Sequence, residues 1–210
     1  MGEALGEASY ALWSEVALLY RDWGEFTYLF GNPKRTDLLN RAAPVFFRAV
    51  QVALFEATVL RIARLTDPLK STGKSNLTVQ QLPSLAATSI ASGLAGLVEA
   101  AKKAAEFCRD RRNRQIAHRD LQLALSKGAK PLPDATIENV KNAIVALGEI
   151  LNALTRHYLN STTVFEFDGV AGGAPSLLKV LQDGMLLKSE RFRRAKAGGR
   201  VYKNPPPKKG

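Results

Sequence analysis

Residues 108–120, C-R-D-R-R-N-R-Q-I-A-H-R-D, hold the side chains best suited to chemistry: clustered arginines, Asn113 and His118, one of two histidines in the chain. Arginine presents a fixed fork of donors that matches phosphate oxygens. Neutral histidine accepts a proton near pH 7 and its charged form returns one. Asparagine orients phosphate, sugar or imidazole by hydrogen bonding. Together they suit cleavage of RNA. Histidine assists attack of the 2′-hydroxyl on the adjacent phosphorus, and arginine stabilises charge on the phosphoryl oxygens. A second histidine-bearing site protonates the leaving 5′ oxygen, and no metal is required. A structural or anion-binding role is the alternative, because cations are favoured at a helix C-terminus without any substrate. Asp110 and Asp120 are close enough in sequence to neutralise the neighbouring arginines.

Positions on a helix limit which groups meet. Arg114 and His118, four apart, are direct neighbours, and Arg111 and His118, seven apart, share a face. Arg112 and His118 differ by about 120° on an ideal helix. A long arginine side chain, a distorted terminal turn or a helix pair brings those two together. His157 follows Arg156 near a predicted helix end and reads as a dipole-favoured cation. Cys108 lies on an apolar stretch and reads as core.

The elements that must carry this segment are helical. Leu5, Ala8, Leu12, Val16, Leu19, Trp23 and Phe26 recur every three or four residues and predict a first helix over 5–30. Gly31-Asn32-Pro33 stops it. A second helix is expected from Thr36 or Asp37 to Leu65, with Pro44 either kinking it or separating a short helix from a main one. Residues 67–76 predict a loop, 78–85 a short helix, and Ser89 onward a long helix reaching Ile116 or His118. After the break at 126–135, a helix is expected from Asp134 or Thr136 to Tyr158, with Ile137, Val140, Ile144, Leu147, Ile150, Leu151 and Leu154 as its buried side. Residues 162–167 suit a short extended piece and 174–188 a last short helix. Nothing alternates long enough to demand a sheet. The expectation is an all-α bundle of four or five main helices with short accessory helices, occupying residues 1–188. A flexible basic tail, residues 189–210, follows.

Composition excludes several function classes. The 210 residues hold no long charge-free apolar run, so a membrane span is not expected. One cysteine gives neither a disulfide framework nor a thiolate metal cluster, and a cytoplasmic setting is expected. The acidic beginning lacks the basic start of a signal peptide. No phosphate-cradling glycine loop is present to support nucleotidyl transfer. The formal charge is +11, and +8 of it lies in residues 188–210, where Glu190 is the only acid. Gly198-Gly199 and Pro205-Pro206-Pro207 resist regular packing there. Such an arm raises local nucleic-acid concentration without reading sequence; a solubilising or assembly role is the alternative.

Arg112-Asn113-Arg114-Gln115-Ile116-Ala117-His118 resembles the arginine-polar-x4-histidine signature of the HEPN superfamily. The longer string R-R-N-R-Q-I-A-H-R-D-L, 111–121, resembles its AbiU2-like branch, associated with abortive infection. L-F-G-N-P at 29–33, L-L-N-R-A-A-P-V-F-F at 38–47, R-I-A-R-L-T-D-P at 61–68, K-P-L-P at 130–133 and R-H-Y at 156–158 are similar too. The resemblance spans roughly residues 10–188. It implies a helical HEPN fold, often a homodimer, with motifs from two subunits meeting in one cleft. It implies catalytic roles for Arg112 at the scissile phosphate, Asn113 as an orienting group and His118 in proton transfer. Arg111, Arg114 and Arg119 would bind flanking RNA phosphates, with a solvated or salt-bridged surface as the alternative. Asp120 would be an accessory acid that orients the site or neutralises its charge. The implied activity is metal-independent and cofactor-free RNA cleavage by a toxin or phage-defence effector, leaving 2′,3′-cyclic phosphate and 5′-hydroxyl ends. An antitoxin partner accompanies some members. Other members only bind RNA or scaffold partners, and that non-catalytic role stays open.

Overall fold

The structure is a computed structural model describing residues 1–71, 73–117, 120–125, 128, 130–166 and 172–196. It is an all-α bundle. Five long helices dominate: α1 (Glu3–Phe30), α3 (Pro44–Leu65), α5 (Thr88–Ala104), α8 (Ile137–Leu159) and α9 (Ala174–Lys196). Four short ones lie between them: α2 (Pro33–Ala42), α4 (Leu82–Leu85), α6 (Glu106–Arg111) and α7 (Leu121–Ala124). The nine α-helices among the described residues exceed the four or five main ones expected. The excess arises partly where the chain divides runs whose periodicity reads as continuous.

One division is at Pro44. Its missing N–H cannot extend α2, but its fixed backbone suits the first turn of α3. Asn32 caps α2 by accepting from the amides of Lys34 at 2.9 Å and Arg35 at 3.3 Å. The second division is at Ala105, between α5 and α6. α8 starts behind the Thr136 cap, whose hydroxyl accepts from the Asn139 amide at 3.1 Å. It ends at Asn160 in the left-handed region, φ 48°.

The main core forms where α1 packs on α3 and α8, α5 on α8, and α6 on α3. The predicted α1 stripe is inside: Leu5, Leu12, Val16, Leu19, Trp23 and Phe26 are buried and Ala8 is half-buried. So is the α8 stripe, except Ile137, which is exposed in the first turn. Gly148 allows α8 to approach α1 closely, since a Cβ there would lie 2.9 Å from the Tyr20 hydroxyl oxygen. Tyr20 stacks on Phe165, ring centroids 5.1 Å apart. Burial, aided by Glu149 and Glu166, pushes the Tyr20 phenol up to about 12. Between α1 and α3, Asp22 accepts from Arg61 at 2.6 Å. Burial works against the Asp22 carboxylate, but hydrogen bonds from Arg61 and Arg21 outweigh it and hold the pKa below the usual range.

A smaller cluster joins Leu29, Leu38, Leu39 and Phe47 to Ala174 and Leu178 of α9. The Ala174 amide donates to Glu25 of α1 at 2.5 Å, placing a carboxylate at the positive end of α9. Beyond Met185 every described residue of α9 is exposed, and the helix continues past Lys188 to Lys196. Residues 162–166 form no strand, and the only described sheet is a two-residue antiparallel ladder, 70–71 with 74–75.

Candidate functional site

The motif does not continue α6 as an ordinary helix. Arg112–Ile116 form a π-helical turn, closed by the Ala117 amide donating to the Arg112 carbonyl at 2.8 Å. Such a turn inserts an extra residue per turn and is frequent at functional sites. The Asp120 amide donates to the Arg114 carbonyl at 3.0 Å. Asp120 then caps α7 by accepting from the Leu123 amide at 3.1 Å. That backbone bond, with Arg114, holds the Asp120 carboxyl below the usual carboxylate range against a smaller desolvation effect.

Arg112 faces the end of α3. Its Nη1 reaches both carboxylate oxygens of Asp67, 2.6 Å to Oδ1. Its Nε donates to Asn113 Oδ1 at 3.0 Å. The Asp67 and Arg112 side chains are only 16% and 23% exposed, which sets this pair apart from a solvated surface contact. The charge on Arg112 is therefore held in place from two sides.

Asp67 is itself anchored. The buried Thr78 hydroxyl lies 2.9 Å from the Leu65 carbonyl and 2.8 Å from the Asp67 carbonyl, and donates to this pair. Gln80 Nε2 donates to the carbonyls of Thr66 and Asp67, each at 2.9 Å. These are carbonyls that the end of α3 leaves without helical partners. Arg109 ties the same corner to α5, donating to Thr66 Oγ1 at 3.2 Å and to the Lys102 carbonyl at 2.8 Å. A cleft of about 270 Å³ opens beside Asp67, walled by Glu15, Arg64, Leu65, Asn76 and Leu77.

The neighbouring arginines reach elsewhere. Arg111 donates to Gln115 Oε1 at 3.1 Å and to the Pro133 carbonyl at 2.9 Å. Arg114 pairs with Asp110 at 3.3 Å and Asp120 at 3.4 Å, and donates to the Lys130 carbonyl at 2.5 Å. Two arginines expected at flanking phosphates thus also fasten the K-P-L-P segment. His118 and Arg119 lie outside the described residues, as do 197–210 of the tail. His157 packs edge-on against Tyr158 at 4.7 Å and lines a different cleft, between α5 and α8. Cys108 is buried, and burial pushes its thiol up to about 12 despite Arg109 and Arg111. No cluster of three metal-ligating side chains occurs among the described residues, and no described helix is long and apolar enough to cross a membrane.

Residues 2–170 match the model of the HEPN_AbiU2 family, described as AbiU2. The chain belongs to the AbiU2 family. No curated protein and no solved structure matches it. Within this AbiU2 chain, the match takes in the π-helical motif, the Asp67 corner and the K-P-L-P segment. Sequence reasoning missed Asp67, Thr78, Gln80 and Arg109 as neighbours of the motif. The available signal was R-I-A-R-L-T-D-P, a resembling segment that holds Asp67 although it lies 45 residues from Arg112.

Proposed function

We propose that this AbiU2 protein is a metal-independent endoribonuclease, acting as a toxin or phage-defence effector. The observation that carries the reading is the motif itself. Arg112 is held by Asp67 and Asn113 on a π-helical turn that leads directly to His118, in a chain of an AbiU2 HEPN family. A guanidinium fixed before substrate arrives costs little reorganisation when charge builds on a phosphoryl oxygen. His118 takes the proton from the ribose 2′-hydroxyl as the 2′-oxygen attacks phosphorus. The bond from phosphorus to the 5′-oxygen breaks, and a protonated histidine of a second copy supplies the leaving oxygen with its proton. The products are a 2′,3′-cyclic phosphate and a 5′-hydroxyl, with no net change in protons. The functional unit in this reading is a homodimer whose two motifs face one cleft. Arg111, Arg114 and Arg119 border that cleft, and Asp120 steadies it through Arg114. An antitoxin partner would restrain the activity in a cytoplasmic setting.

Purified protein incubated with diverse RNAs and a chelator should yield cyclic-phosphate ends, and His118→Ala should not. Equal, negligible cleavage by both proteins would remove the ribonuclease reading. Salt-sensitive RNA binding without products would then favour a non-catalytic RNA-binding or antitoxin-partner module. Arg114, paired with Asp110 and Asp120, is the specific observation for a structural use of the motif's arginines.

A further inference from the structure

We infer that Asp67 is the positioning residue for Arg112, and that Thr78 and Gln80 hold Asp67 for that purpose. The inference rests on the ribonuclease reading and adds to it a site member from a different helix. An arginine side chain on a short turn samples many rotamers, and each order of freedom lost before binding need not be lost during reaction. Asp67 takes Nη1 of Arg112 and Asn113 takes Nε, so two of the three guanidinium nitrogens are fixed. Among the described residues, Nη2 makes no hydrogen bond, which leaves a directed donor for a phosphoryl oxygen.

The support beneath Asp67 points the same way. Thr78 is fully buried, and a buried hydroxyl is costly unless bonded. Thr78 and Gln80 both donate to the carbonyl of Asp67, besides those of Leu65 and Thr66. Those bonds close the end of α3. They also fix the backbone from which the Asp67 carboxylate reaches Arg112. A carboxylate serving only as a surface counter-ion would need no such footing. Because Asp67 also offsets charge, its role is to aim Arg112 rather than to increase attraction for RNA. Its loss therefore slows the chemical step more than it weakens binding.

The test uses the full chain, with single-turnover cleavage of an RNA and binding of its non-cleavable 2′-deoxy analogue. Asp67→Asn keeps the shape but removes the charge. It should lower kcat about 10- to 100-fold, less than the roughly 10²- to 10³-fold for outright removal of a preorganised donor, because Arg112 remains and only its aim is lost; KM and the analogue Kd stay within about threefold. Asp67→Glu should recover part of the loss. Gln80→Leu, which leaves the carboxylate intact, should cost about three- to tenfold in kcat by loosening its footing. Asp67→Asn with the kcat of the wild type, or with a rise in Kd that accounts for its whole loss, overturns the inference. If Asp67→Asn does not fold, a folded Gln80→Leu with undiminished kcat overturns it instead. A wild type no faster than His118→Ala removes the ribonuclease reading, and this role for Asp67 falls with it. That outcome is distinct from an active wild type whose Asp67 variants remain fully active.

Discussion

The arginines of the motif and the cations of distal α9 are the same residue types put to opposite uses. Arg112 is matched to Asp67, Arg114 to Asp110 and Asp120, and Arg111 to a carbonyl. In α9, Lys188, Arg191, Arg193, Arg194 and Lys196 are all exposed and form no ion pair among the described residues. Arg112 and Arg114 have given up long-range field for fixed geometry, whereas Arg111, held by neutral acceptors, is fixed without losing its charge. The α9 group keeps its field and has no fixed geometry to offer. Local density of arginine in a sequence therefore says little about which group draws in a polyanion. The neighbouring carboxylates decide it.

The largest expected effect separates chemistry from attraction. His118→Ala should reduce RNA cleavage by about 10²- to 10⁴-fold, the usual weight of general acid–base catalysis. Binding of a 2′-deoxy RNA analogue should change little. A matching loss of binding would mean that His118 serves attraction and not chemistry.

Arg114→Ala comes next, measured as stability. It leaves two carboxylates without their cation and frees the Lys130 carbonyl. We expect a loss of about 1–3 kcal/mol in denaturant unfolding, discounted for partial exposure. Combined replacement of Arg191, Arg193 and Arg194 by alanine should change stability by under about 0.5 kcal/mol. The same triple variant should flatten the dependence of log K on log salt by about 2 for single-stranded RNA. Arg114→Ala should flatten it by less than the triple variant does. Reversal of these two patterns would erase the distinction between the regions.

The smallest effect is a pH response at α7. The Asp120 carboxyl is held below its ordinary value, so its contribution is complete above the unfolded pKa of about 3.9. It fades as pH falls through the lowered folded value. The Leu123 amide shift, followed by NMR, should stay level above about pH 4, move below it, and lose that step in Asp120→Asn. A midpoint near neutrality would show that Asp120 does not cap α7 as a carboxylate.

How much the sequence disclosed depended on how local the determining contacts are. Periodicity found the buried sides of α1 and most of α8, because those helices bury one stripe and expose the rest. It was less informative for α3, which is apolar nearly all round; Val45 and Phe46 are exposed while Val59 and Ile62 are buried. The π-helical turn leaves no mark on apolar spacing, so the motif read as the end of one long helix. Arg112, Asn113 and Arg114 could be singled out by type. Their partners could not be, since Asp67 and the Lys130 carbonyl are brought near only by tertiary packing. The role of K-P-L-P was equally hidden, because Arg111 and Arg114 bind its backbone and not its side chains.

The π-helical turn makes the spacing of the motif a matter of count as well as composition. A helix can absorb the deletion of Gln115 by closing from i→i+5 to i→i+4 bonding, so the shortened chain stays helical. Residues after the deletion then keep nearly the direction they had relative to α6, because the turn that held the extra residue has closed. A deletion within the ordinary helix α5 has no such turn to close, and it rotates every later residue of that helix by about 100°. Loss of Gln115 should therefore cost less stability, read by denaturant unfolding, than loss of one residue from the middle of α5.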